Sequence, residues 1–263
     1  MPSFVRFILG VTMLAALLGV SGCGSSGSAQ VEGELLSTEN RLRQLESALN
    51  AGSLRNATLI KQYADILQDR RPELAPLLRQ LRKETGVESP IYKSLNERFQ
   101  RVRDGSETFE NWTDKVAELQ SIQSGAETSV YNDALSDTVN VIADMSDGEL
   151  ARVNAVSQEQ EQKLNNSKSY GAGSQYVGNP HYGHWSHGSG GSFWAWYGQY
   201  AFFSSMFGSN RYYYNDWSRG RGYSYYHDVG RNSYTSRSQR SAMADVDRRA
   251  QKQFRSSGDR KST

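Results

Sequence analysis

Three evenly spaced histidines, His181-x-x-His184-x-x-His187, are the residues whose type and spacing first invite chemistry, because imidazole nitrogens commonly bind zinc, copper or nickel. On a regular backbone the three rings could hold one divalent metal, but Pro180, Gly183 and Gly188 point to a mobile loop without fixed geometry. The fourth histidine, His227, lies in the same stretch, so residues 31–168 contain neither histidine nor cysteine. That region lacks the usual nucleophile-base pairs and transition-metal ligands. Its carboxylates, among them Glu32, Glu34, Glu39, Asp65, Asp69 and Glu73, alternate with arginines in the manner of a solvated helix face. Asp144 to Glu149 (DMSDGE) is too short and too poor in alternating oxygen ligands for a calcium loop. The residue inventory therefore reads as that of a non-enzyme, with no cofactor beyond the lipid discussed below.

The only thiol, Cys23, ends an apolar run, Phe7 to Val20 (FILGVTMLAALLGV), that follows Arg6. No intrachain disulfide can form, and a lone thiol in this place asks for a chemical use. Charge, apolar stretch and small residues make residues 1–22 an export signal. The apolar run is shorter than the roughly twenty residues a spanning helix needs. Val20-Ser21-Gly22-Cys23 resembles the lipobox of bacterial lipoproteins. The resemblance covers the first 23 residues. It implies cleavage before Cys23, a diacylglyceryl group on its thiol and a further acyl chain, such as palmitate, on the new amino terminus. Two or three chains anchor a protein stably where one does not. An aspartate after the cysteine holds such proteins in the inner membrane; Gly24 at that position implies the outer membrane, with the mature part in the periplasm. Residues 23–30 then read as the lipidated cysteine followed by a flexible tether, GSSGSAQ.

The elements that must position any site begin after the tether. Residues 31–168 hold three prolines, and apolar residues recur at helical spacing, which predicts an all-α fold. Leu35, Leu42, Leu45 and Leu49 form one stripe, Ile60, Tyr63 and Leu67 a second, and Leu74, Leu77, Leu78 and Leu81 a third. Breaks at Gly52-Ser53, Arg71-Pro72, Gly86 to Pro90, Asp104-Gly105-Ser106 and Asp147-Gly148 cut the region into five or six helices. Ser89 before Pro90 reads as an N-cap and Ser146-x-x-Glu149 as a capping box. Phe99, Phe109, Trp112, Val116 and Leu119 are expected in the core. The predicted architecture is a small helical bundle or stacked helical hairpins.

Composition changes abruptly at residue 169. Residues 24–168 carry 17 basic and 23 acidic side chains, residues 169–263 carry 12 and 5. Residues 169–236 hold 20 of the 29 aromatic side chains and 12 of the 24 glycines, which reads as a low-complexity, largely disordered tract because ordering glycine is entropically costly. Within it Phe193, Trp196, Tyr197, Tyr200, Phe203 and Phe207 are spaced like one helix face, with Trp194 beside them. These rings predict either contact with a membrane interface or a partner, or packing back on the helices. Arg219-Gly220-Arg221-Gly222-Tyr223 mixes the residues of nucleic-acid-binding tails, but export removes nucleic acid and leaves envelope anions or sugars. Residues 237–263 form a basic tail with a short helix expected from about 238 to 254 and a sparse apolar face of Met243, Val246 and Phe254. Taken together, the sequence predicts a membrane-anchored envelope lipoprotein with a scaffolding or partner-docking role, its partner an envelope protein or wall polymer. The alternative is a metal- or glycan-binding module built on the His/aromatic tract.

Overall fold

The computed structural model describes residues 25–153, 171–206, 211–221 and 223–259. Cys23 and Phe207, and with them the lipidation site and the last ring of the aromatic face, lie outside the described residues.

The fold is mostly helical. Helix α1 (Ser25–Asn50) is followed by α2 (Arg55–Arg70), α3 (Ala75–Arg82), α4 (Pro90–Arg103), α5 (Trp112–Ala126), α6 (Thr128–Ala134) and α7 (Ser136–Asp144). Helix α1 thus starts inside the segment expected as a flexible tether. The breaks fall where backbone chemistry requires them: Gly52 is left-handed after α1, and Pro72 and Pro90 occupy first turns where no amide donor is missed. Asn111 caps α5 by accepting the Asp114 amide at 2.9 Å. Helix α1 packs on α5, α5 on α4, and α2 on both α3 and α7.

Leu42, Leu45 and Leu49, all of the Leu74 to Leu81 stripe, Phe99 and Leu119 are buried in one core. Trp112 departs from the expected pattern. It is 44% exposed, its ring lying across Gly27 at the start of α1. The two expected caps also differ. The Ser89 hydroxyl makes no cap bond and instead accepts from Tyr131 Oη at 2.9 Å. Ser146 accepts the Leu150 amide, but no helix opens there among the described residues, and Glu149 pairs with Arg70.

The glycine-aromatic tract, expected as largely disordered, is folded over its described residues and continues the same core. A two-stranded antiparallel hairpin, β1 (Gly183–Gly188) and β2 (Gly191–Trp196), pairs His184 with Ala195 and His187 with Ser192. It is followed by α8 (Phe202–Met206), α9 (Tyr214–Gly220), a π-turn over Tyr226–Gly230, α10 (Arg231–Tyr234) and α11 (Arg237–Asp259). Tyr176, Tyr182, Tyr200, Phe203, Tyr226 and Tyr234 join the core of the bundle. Trp194, Tyr212, Trp217 and Val177 form a second, smaller core. Among the described residues, these rings share one core with the helices, and their burial against apolar helix faces offsets the ordering cost of the glycines. The predicted tail helix exists and is longer than expected. No helix among the described residues is long and apolar enough to cross a membrane.

Candidate functional site

The tract is seated on the bundle by buried polar side chains as well as by rings. Arg98 of α4 and Glu118 of α5 form an ion pair at 2.7 Å with each side chain 1% exposed. The remaining Arg98 donors reach the Ser233 carbonyl at 2.6 Å and Ser121 Oγ at 3.0 Å, so the guanidinium holds α10 against the bundle. Tyr234 adds a bond from its hydroxyl to the Gly125 carbonyl at 2.9 Å. Asp137, at the start of α7, accepts from the amides of Tyr225 (2.9 Å) and Tyr226 (3.2 Å) and from Ser224 Oγ (3.0 Å). It caps the π-turn from across the fold, and burial pushes its carboxyl up to about 6 against these bonds.

Glu84 makes the third seat. It is fully buried, and its two oxygens accept from Tyr200 Oη at 2.7 Å and Tyr182 Oη at 3.2 Å. Burial drives its carboxyl up to about 7, the two tyrosine bonds pulling the other way. Tyr182 is stacked on Tyr176 with centroids 3.8 Å apart, and Tyr176 donates to Thr138 Oγ1 at 2.7 Å. The tyrosines thus bring hydroxyl donors to carboxylates that the helices bury.

On the outer side of this seat the smaller core opens into a cleft of about 230 Å³. Trp185 of β1 meets Tyr214 and Trp217 of α9 with centroids 4.9 and 5.1 Å away at steep angles, so three rings form an inside corner. Arg221, His227, Arg231 and Asp247 border the same space. Met243 of α11 separates it from a second, more apolar cleft of about 210 Å³ between Pro180, His184, Trp194 and Tyr197 on one side and Ala242 and Val246 on the other.

No family model, curated protein or solved structure matches the chain.

The structure does not bring the three predicted metal ligands together. His181 is buried with Nε2 bonded to the Tyr234 carbonyl at 2.8 Å, and burial lowers its pKa to about 4. His184 and His187, three residues apart on β1, point to opposite faces. Each bonds a serine hydroxyl instead, Ser186 at 3.1 Å and Ser192 at 2.9 Å. Among the described residues no three His, Cys, Asp or Glu side chains converge as metal ligands.

The aromatic face is dispersed as well, because its segment runs from a strand through a tight turn into a five-residue helix rather than along one helix. Trp194, Tyr200 and Phe203 are buried, Phe193 and Trp196 half-buried, and Tyr197 is 38% exposed. Tyr200, Phe203 and, in part, Trp196 pack on the core of the bundle, whereas Trp194 belongs to the smaller core. Arg98, Glu118, Glu84 and Asp137 carried no signal in the sequence, since each looks like any charge on a helix face until its partner 87 or more residues away is known, or, for Arg98 and Glu118, until α4 and α5 are packed.

Proposed function

We propose that this chain is a non-catalytic, lipid-anchored envelope protein in which the helical bundle is a pedestal for a C-terminal aromatic head, and that the head docks a partner. The observation that carries this reading is the seating of the head: Arg98, Glu84 and Asp137 are committed to holding it in one orientation. An acid held between two tyrosine hydroxyls, another capping a turn and an arginine spanning two chain segments are fully used as fasteners, which is what rigid presentation of a binding surface requires. The open cleft at Trp185, Tyr214 and Trp217 lies on the part so presented.

Anchoring through Cys23 at the outer membrane, with the mature part in the periplasm, rests on the lipobox resemblance. Metabolic labelling with palmitate tests it: label and membrane association should both be present in the natural chain and lost in Cys23→Ala. Docking is tested by crosslinking whole cells and purifying the full chain beside Trp185→Ala and Tyr214→Ala. A specific partner lost from both variants, with their folding intact, supports the head as the binding element. A partner retained by both moves recognition to the bundle.

A further inference from the structure

The cleft at the inside corner of Trp185, Tyr214 and Trp217 combines features that select a ligand class. Its rings are mutually tilted by 79°, 53° and 52°, so they do not stack on one another and leave ring surface to face a bound group. Opposite them stand Arg231 and Asp247, which line the same space and make no ion pair among the described residues. Arg221 is engaged by Asp228 at 3.6 Å. The Trp185 indole nitrogen and His227 Nδ1, on two residues of the lining, are enclosed and have no hydrogen-bond partner among the described residues, at a cost in stability.

Of the two guanidiniums in the lining, Arg221 is paired with Asp228 just outside it, and Arg231 shares the space with the carboxylate of Asp247, so the cleft offers little net charge to a phosphate or an acidic sugar. It offers flat apolar surface on one side and alternating donors and acceptors on the other. A pyranose ring has that same division, with an apolar C–H face and a rim of hydroxyls. At about 230 Å³ the cleft is smaller than the roughly 300–1,000 Å³ of sites that enclose a whole drug-sized ligand, which suits a single ring of a longer chain.

We propose that this cleft binds one uncharged pyranose unit of a glycan, stacked on Tyr214 and Trp185 and hydrogen-bonded by Arg231 and Asp247. The proposal rests on the head being the binding element and names the chemistry of its partner. Asp247 and Met243 are contributed by α11, so the site is complete only with that helix in place.

The test uses the full chain in a zwitterionic, sugar-free detergent on an array of neutral and acidic oligosaccharides, followed by titration of the strongest hits through tryptophan fluorescence. Neutral hexose or N-acetylhexosamine oligomers should bind, with affinity little changed between low and high salt. Tyr214→Ala and, independently, the α11 variant Asp247→Ala should each weaken binding about tenfold with unchanged thermal midpoint. Retention of no sugar, retention of acidic glycans only, or binding unaltered in the Asp247 variant overturns the proposal. If sugar binding is absent while crosslinked partner capture still depends on Trp185 and Tyr214, the glycan assignment fails and the docking role stands.

Discussion

Glu84 is a carboxylate placed where water cannot reach it, with two tyrosines as its only donors among the described residues. Its proton affinity is higher folded than unfolded, rising from 4.5 to about 7, so the stability it contributes is full below about pH 4.5 and lost as pH rises through 7. Asp137 acts in the same direction between 3.8 and about 6. His181 acts oppositely: its lowered pKa means that stability is present above 6.5 and lost as pH falls toward 4. Glu84→Gln mimics the protonated acid. It should therefore match the natural chain at pH 4.5 and exceed its stability by about 3 kcal/mol at pH 8, as read by denaturant midpoints at both pH values. Arg98→Ala acts through a lost partner. It strands Glu118 in the interior and should cost about 3–5 kcal/mol in chemical denaturation, whereas Arg98→Met with Glu118→Leu should recover most of that loss.

At the scale of elements, the helices were legible and the head was not, for one physical reason. Helix boundaries depend on nearby residues: Gly52, Pro72, Pro90 and Asp104-Gly105 stop or start helices by local backbone chemistry, and the structure breaks there. The division at Leu135 between α6 and α7 has no glycine or proline and went unread. In the tract, glycine reads as freedom, but at two left-handed positions it is also clearance. Gly178 is left-handed, and a Cβ there would stand 2.6 Å from the Trp217 ring; Gly173 is likewise left-handed and would place a Cβ 2.6 Å from Phe203. A composition count cannot distinguish a glycine that permits motion from one over which a ring lies flat. Likewise, Trp185, Tyr214 and Arg231 are visible in the sequence as types, but their meeting in one cleft is not. Gly178→Ala should lower stability by at least about 1–3 kcal/mol from backbone strain alone, with a matching loss of the near-ultraviolet tryptophan dichroism.

At the scale of the whole molecule, the head is part of the fold that supports it. A chain ending at Lys168 loses the rings that cover the bundle core and the partners of three buried charged groups. It should melt earlier than the full chain and bind a hydrophobic dye that the full chain excludes, and an equal melting temperature would show the head to be an appendage. Arg98 and the Ser233 carbonyl it holds are 135 residues apart, and Glu84 and Tyr200 are 116 apart. Because a ribosome makes the chain from its amino end, Arg98 is finished long before the segment that completes its surroundings. The final contacts thus serve as a test of completeness. A copy cut short by a stalled ribosome leaves Glu84 and Asp137 without the donors that satisfy them and Arg98 with only its partners on the helices, so it should be cleaved by an added protease faster than the intact chain.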